Sequence, residues 1–310
     1  MAALTVTGYD SGGTGHSLTQ LLSFGWECSK SRPYASLELS ALDVPGANWF
    51  HRLEVSLNGS TLFSGRMDTQ VWEQTVSGSL CRLTARSATA ALVDNEAAPV
   101  AYQNYTLDQL LFDHAYPYGV TGSTLSGGTL SQILCTKGMS HWDFLQFYCR
   151  LLLGYLPWVN EEGILMGRQE TGERVSFVQG DYESFTLSLD RTGLISRLYV
   201  LDSTGQYRPI TNNFAQALLG EKTEYYAPPG RWSQNLTQAA GNRFREGQLD
   251  YLTGKLVLPG LHRYRLGQRV DFSGDGIAFS GMELSGIALF GDSGGFHTTL
   301  TLSDPAAGNI

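Results

Sequence analysis

Asn58-Gly59 constrains this chain most, because it sits between two runs that alternate like strands, Arg52-Leu-Glu-Val-Ser-Leu57 and Ser60-Thr-Leu-Phe-Ser-Gly-Arg66. Leu53, Val55 and Leu57 fall on one face at period two, and Asn-Gly supplies the two positive-φ residues of a type I′ hairpin turn. A chain with such a hairpin near its start is building antiparallel sheet. The 36 Gly, 15 Tyr and 14 Phe extend the argument, since they favour many short strands and tight turns over long helices. Ser36-Leu-Glu-Leu-Ser40 alternates in the same way, and Leu80–Ala85 reads as a strand after a Ser77-Gly78 turn. Residues 1–103 are therefore expected to form a β unit.

The pattern changes near residue 104. Thr106 and Gln109 have capping-box spacing, which predicts a short helix over Leu107–His114 that Pro117 and Gly119 stop. Ser140 and Asp143 repeat the spacing ahead of Phe144, Phe147, Tyr148, Leu151 and Leu152, which share a helical face that ends at Gly154. Two short strands around Glu162-Gly163 follow, and 104–179 is expected to be a small α+β unit. From 180 to 310 strands return: Phe185–Leu189, Ile195–Leu201, Lys255–Leu258, Gln268–Phe272, Met282–Phe290 and Phe296–Leu302. A helical segment near 231–249 interrupts them, weakened by Gly241 and Gly247. No short-period repeat is visible. A length of 310 residues suits two or three such units.

Charge and composition exclude several roles. The chain is 42% apolar and 16% charged, enough to bury a core. Its net charge of −8 and the lack of any Lys/Arg run argue against gripping nucleic acid. Met1-Ala-Ala-Leu-Thr-Val-Thr has neither the basic start nor the apolar segment of a secretory signal. The most apolar stretch, Phe144–Val159, is too short to span a bilayer and contains Gln146, Arg150 and Pro157, so a soluble protein is expected. Cys28, Cys81, Cys135 and Cys149 are scattered and read as reduced, buried thiols of a protein made in a cytoplasm. The sequons at Asn58, Asn104 and Asn235 carry no weight without secretion.

Gly291-Asp-Ser-Gly-Gly295 matches the pentapeptide around the nucleophile of chymotrypsin-like proteases, and the looser hydrolase pattern. That chemistry needs Ser293 activated by a histidine that an aspartate orients. His51 precedes it in the right order but lacks the protease context, and only 15 residues follow Gly295. A hairpin turn explains the same residues. Asp271-Phe-Ser-Gly-Asp-Gly276 resembles the opening of a calcium loop, yet the twelfth position, which needs a bidentate Glu, is Met282. His16, His51, His114, His141, His262 and His297 show no zinc spacing, and Gly12-Gly-Thr-Gly15 lacks the Lys-Ser/Thr of a phosphate loop. Glu161-Glu162 reads as a solvated turn. Arg243, Arg245, Arg263, Arg265 and Arg269, with Tyr264, form a mildly basic cluster that reads as solvated surface. No catalytic, cofactor-binding or metal residues are assigned.

Read in order, the segments resemble the baseplate hub family of contractile-tailed phages, the late-control protein D-like proteins also found in phage-tail-like bacteriocins. The matching pieces are Leu62-Phe-Ser-Gly65, Arg86-Ser-Ala-Thr-Ala-Ala-Leu-Val-Asp94 with Pro99 and Asn104-Tyr-Thr-Leu, and Gly138-Met-Ser-His-Trp-Asp-Phe-Leu145. Gly154-Tyr-Leu, Glu162-Gly-Ile-Leu and Gly295-Phe-His-Thr-Thr-Leu-Thr-Leu302 complete the series. Ala91 stands where a larger apolar residue is usual, and the absence of a cell-wall-degrading extension argues against a lytic hub.

The resemblance implies two tail-tube-like β-barrel domains, 1–103 and 180–310, separated by the α+β unit. It implies a structural, non-enzymatic subunit without cofactors, located in the tail baseplate of a virion or particle and made in the host cytoplasm. Three copies, each with two tube-like domains, would join the six-fold tube to a three-fold central spike. Tube or tube-initiator proteins, other baseplate proteins and the tape-measure protein are the further partners, with DNA only passing through and no membrane contact. The alternatives are the hub part of a non-contractile tail-tip protein and a serine hydrolase using Ser293.

Overall fold

A computed structural model describes residues 4–42, 44, 49–76, 78–167, 173–228, 236–274 and 276–304. Strands take 51% of the chain and helices 18%, which is the mainly β class expected. The Asn58-Gly59 hairpin forms as the spacing predicts. Phe50–Leu57 pairs antiparallel with Ser60–Thr75, Leu57 faces Ser60, and φ is 52° at Asn58 and 78° at Gly59. Leu53, Val55 and Leu57 are all buried. Space around Gly59 is open, so a side chain there meets backbone strain only. Gly59→Val is expected to cost about 1 kcal/mol or more, read as a lower urea midpoint; an unchanged midpoint would contradict the turn.

Seven strands of the first unit and six from residues 174–303 belong to one thirteen-stranded sheet. The first seven are Leu4–Asp10, Gly15–Ser17, Leu21–Ser29, Ser36–Leu42, Phe50–Leu57, Ser60–Thr75 and Gly78–Ser87. The other six are Arg174–Val178, Ser184–Leu189, Leu252–Pro259, Arg269–Gly274, Ile277–Asp292 and Gly295–Ser303. The halves join where Leu21–Ser29 pairs antiparallel with Ile277–Asp292, Phe24 opposite Gly291 and Ser29 opposite Gly286. One apolar cluster therefore runs through both, from Leu37 and Leu53 to Leu256 and Leu300. Among the described residues eleven strands follow one path, Arg269–Gly274 and Arg174–Val178 branch from it at Ile277–Asp292, and the pairing shows no closure into a barrel.

A second core lies beneath the helices Leu107–His114 and His141–Leu152. Both capping boxes are made, Thr106 with Gln109 and Ser140 with Asp143. The second helix stops where the Gly154 N–H returns to the Cys149 carbonyl at 3.1 Å. Leu92 and Ala97 already pack in this core, so its packing begins ahead of residue 104. Arg174–Val178, expected in the middle unit, instead pairs parallel with Arg269–Gly274 in the large sheet. Neither shift has a compositional mark in the sequence, because both follow from pairing with distant strands.

A third core was not anticipated. Arg197–Leu201 is the centre of a small sheet with Tyr207–Thr211 and Thr223–Tyr226, and the helix Leu236–Gln248 lays Ala239, Ala240 and Phe244 against Leu198 and Val200. That helix is the segment expected near 231–249, whose residues 231–235 lie outside the described residues. Gly247 has a packing reason: a Cβ there would run into the Gly193 carbonyl, so the helix end approaches the chain closely only without a side chain.

Candidate functional site

Ser293 lies at the exposed tip of the hairpin between Ile277–Asp292 and Gly295–Ser303. Asp292 uses its carboxylate to accept the Gly294 N–H at 2.7 Å, as a turn aspartate does. The nearby His297 is engaged with Glu183 at 2.9 Å, and four strands separate the strand of His51 from Ile277–Asp292. The structure does not bring Ser293 and His51 together, so the residues named for a hydrolase do not form a triad.

Asp271 is similarly committed. It accepts hydrogen bonds from Ser280 Oγ at 2.7 Å, the Gly281 N–H at 2.8 Å and Arg174 Nη1 at 3.0 Å, and these hold its carboxyl below the usual range, Ser280 first. The segment is a hairpin, with Gly274 opposite Ile277; Asp275 lies outside the described residues. Among the described residues no group of three or more His, Cys, Asp or Glu is placed to hold a metal, and no helix is long and apolar enough to cross a membrane.

Of the arginines read as one solvated cluster, Arg263 and Arg265 are exposed as expected, whereas Arg243, Arg245 and Arg269 are used within the chain. Arg243 pairs with Glu224 at 2.7 Å, and Arg245 donates to the Gly154 carbonyl. Gln238 and Asn242, on the same helix, donate to the Leu151 and Arg150 carbonyls at 3.4 and 3.2 Å. Helix Leu236–Gln248 thus caps the last turn of His141–Leu152, whose carbonyls would otherwise lack partners. Arg265 lies 3.9 Å from Glu162, and Arg269 donates to the Gly281 carbonyl at 3.2 Å.

Two polar clusters fix the packing, one between units and one inside the middle core, and neither has a sequence motif. In the first, Lys30 Nζ is 2.5 Å from Glu283 Oε1 and 4.3 Å from the centre of the Trp158 ring. Lys30 belongs to the first β unit, Glu283 to the last and Trp158 to the hairpin of the middle unit. Burial draws the lysine pKa down, against the opposing pull of Glu283. On the same hairpin Glu161 accepts the Leu266 N–H at 2.6 Å, and burial raises its pKa. The solvated turn expected at Glu161-Glu162 therefore holds for Glu162 alone. Asn160 builds the turn by accepting the N–H groups of Glu162 and Ile164, and that shape points Glu161 at the Leu266 loop.

The second cluster lies in the middle core. His114 ends one helix and His141 begins the other, with Nδ1 to Nδ1 at 2.9 Å. Tyr102 OH lies 3.1 Å from His114 Nε2, Tyr118 stacks on His141 at 3.7 Å, and Asp113 accepts from Tyr105 OH at 2.7 Å. One Nδ1 must donate and the other accept, so at most one of the two rings can carry a charge while they stay joined. Burial lowers both pKa values, and the facing His141 ring helps bring His114 to about 4. A spacing of 27 residues follows no ligand pattern, so only the fold reveals the pair.

The first arrangement ties units to one another and the second ties two helices of one core; neither sets a nucleophile, a base and an oxyanion site in one place. No family model matches the chain, and the search of curated proteins gave no match. Solved structures do match. A tail protein from Neisseria meningitidis is 17% identical, with 98% of this chain and 96% of that one covered and a TM-score of 0.78. The 43 kDa tail protein of prophage MuSo2 from Shewanella oneidensis is 14% identical over 99% of both chains, with a TM-score of 0.79. A component of the type VI secretion system of E. coli, itself similar to T4 bacteriophage tail proteins, is 12% identical over 91% of this chain and 73% of that one, with a TM-score of 0.57. The chain has the mainly β fold of phage tail proteins, as its resemblance to the baseplate hubs implied.

Proposed function

We propose that this chain is a structural subunit of the tail baseplate of a phage or a related injection particle, a hub of three copies joining a six-fold tail tube to a three-fold spike. The observation that carries the reading is the likeness to tail proteins over almost the full length of both chains. Each β half counts as one tube-like unit, so three chains present six such units around one axis. The halves share a sheet and a core, and the Lys30, Glu283 and Glu161 contacts fix the middle unit against both. That rigidity suits a part that transmits load between tube and spike. A Francisella PdpA–VgrG complex is among the proteins of similar fold. With 29 acidic against 21 basic residues, and Arg243 and Arg265 engaged with glutamates, the wall of the channel is proposed to be neutral or acidic. Such a wall lets DNA and tape-measure protein pass without holding phosphate.

Two tube-like units per chain close a pseudo-six-fold ring only as a trimer. Light scattering on hub reconstituted with its spike is expected to give three copies per complex, and no salt-sensitive DNA binding. A stable two-fold dimer in that complex, or DNA retention that falls steeply with salt, would contradict the reading.

A further inference from the structure

The hairpin formed by Trp158–Val159 and Ile164–Met166 belongs to two cores at once. Trp158 and Met166 are buried in the cluster of the β halves, while Val159 and Leu165 pack in the middle core. Strand side chains alternate between faces, so this one short hairpin ties the middle unit to the halves. Its tip carries Glu161, which is part-buried. Glu161 Oε1 accepts the Leu266 N–H at 2.6 Å and lies 4.0 Å from Cys28 Sγ. Both contacts fall on one oxygen, which leaves Oε2 to hold a proton.

The charges around this carboxyl do not balance it. From the first β unit come Lys30 and the Cys28 thiol, from the last come Glu283, Arg265 and Arg269, and from the turn itself comes Glu162. Lys30 is committed to Glu283 at 2.5 Å, Arg265 lies 3.9 Å from Glu162, and Arg269 donates to the Gly281 carbonyl. Glu27, beyond Cys28, pairs with Arg32 at 2.5 Å. Cys28 stays a neutral thiol, because burial and then Glu161 push its pKa up. Among the described residues Glu161 joins no ion pair. Burying such a carboxyl costs less with its proton than without it. Burial raises its pKa against the pull of the Leu266 N–H and of its own N–H, while Glu162 adds to the rise and Arg265 opposes it.

We propose that Glu161 is a proton-operated latch: with a proton on its carboxyl the hairpin tip is seated against the Leu266 loop, and ionisation loosens that seat while the three cores stay folded. Opening the tip returns Glu161 to water, where a glutamate titrates at about 4.3. The seated carboxyl keeps its proton to higher pH. Its contribution is therefore complete below the ordinary value and is lost as pH rises through the seated group's own midpoint. The latch is a property of the isolated chain and needs no assumption about the particle.

Hydrogen exchange of the Leu266 amide, read by NMR on the full chain and corrected for the intrinsic effect of pH, measures this opening. In the wild type, protection should fall as pH rises from 4 to 7. In Glu161→Gln the side-chain oxygen still accepts the Leu266 N–H and nothing ionises. Its protection should be flat, and at pH 7 at least about threefold above wild type. Glu162→Gln, at the exposed neighbour, should keep the wild-type trend. The Ala97 amide, bonded to the Met139 carbonyl at 2.8 Å in the middle core, should exchange alike in wild type and Glu161→Gln. Equal Leu266 protection in wild type and Glu161→Gln at pH 7 would overturn the latch. So would a change at Ala97 as large as that at Leu266, which would mark a global effect, or loss of the trend in Glu162→Gln. Wild-type Leu266 protection that stays constant from pH 4 to 7 overturns it whether or not either variant folds.

Discussion

Lys30→Met is expected to destabilise the folded chain by about 2 kcal/mol. Breaking a buried ion pair from one side leaves the other charge without compensation, at a typical cost of about 3–5 kcal/mol. Lys30 and Glu283 keep 20% and 21% of their side-chain surface exposed, which places the expected cost below that range. The methionine retains the stem over Trp158, so the loss reports the charge and not the packing. Adding Glu283→Leu should restore most of the stability, because removing both charges removes the desolvation penalty as well. Urea denaturation of the wild type, the two single variants and the double variant measures the coupling. A Lys30→Met midpoint equal to wild type would show that the three units do not depend on this contact.

Acid should weaken the middle unit through the histidine pair. The folded state holds His114 at about 4 and His141 below its ordinary value, chiefly by burial, whereas an unfolded histidine titrates near 6.5. Between those values the unfolded chain binds more protons than the folded one, so stability falls as pH falls through that window and is complete above it. Each excluded proton contributes a slope of up to about 1.4 kcal/mol per pH unit. Asp113, one residue from His114, works against this by favouring the charged ring. His114→Gln removes one titrating ring and should flatten the slope between pH 6.5 and 4, whatever its own cost at neutral pH. Identical slopes for the two proteins would assign the acid sensitivity to carboxylates elsewhere.

The parts of the fold legible in the sequence are those whose signal is local. Asn58-Gly59 sets its own turn, and Thr106 with Gln109, or Ser140 with Asp143, announces a helix within four residues. The Gly291–Gly295 turn was legible for the same reason. Leu21–Ser29 carries an alternation at Phe24, Trp26 and Cys28, but Leu21-Leu22 and Gly25 blur it. Its partner, Ile277–Asp292, is more than two hundred residues away. No window of sequence contains that pairing, and the union of the two β halves into one sheet depends on it. The third core escaped because two of its strands, Tyr207–Thr211 and Thr223–Tyr226, are only five and four residues long and are separated by turns. The site-like clusters were the least visible. Glu161 and Glu162 are neighbours of one type, and only the loop at Leu266 distinguishes the buried carboxylate from the exposed one.

The central claim, a structural tail hub, is tested most directly by an electron-microscopy reconstruction of the particle that contains this chain. The account predicts three copies around the axis between tube and spike, with their six β halves forming one ring of density. A reconstruction that places the chain off the axis, in another copy number, or outside the tail altogether would contradict it.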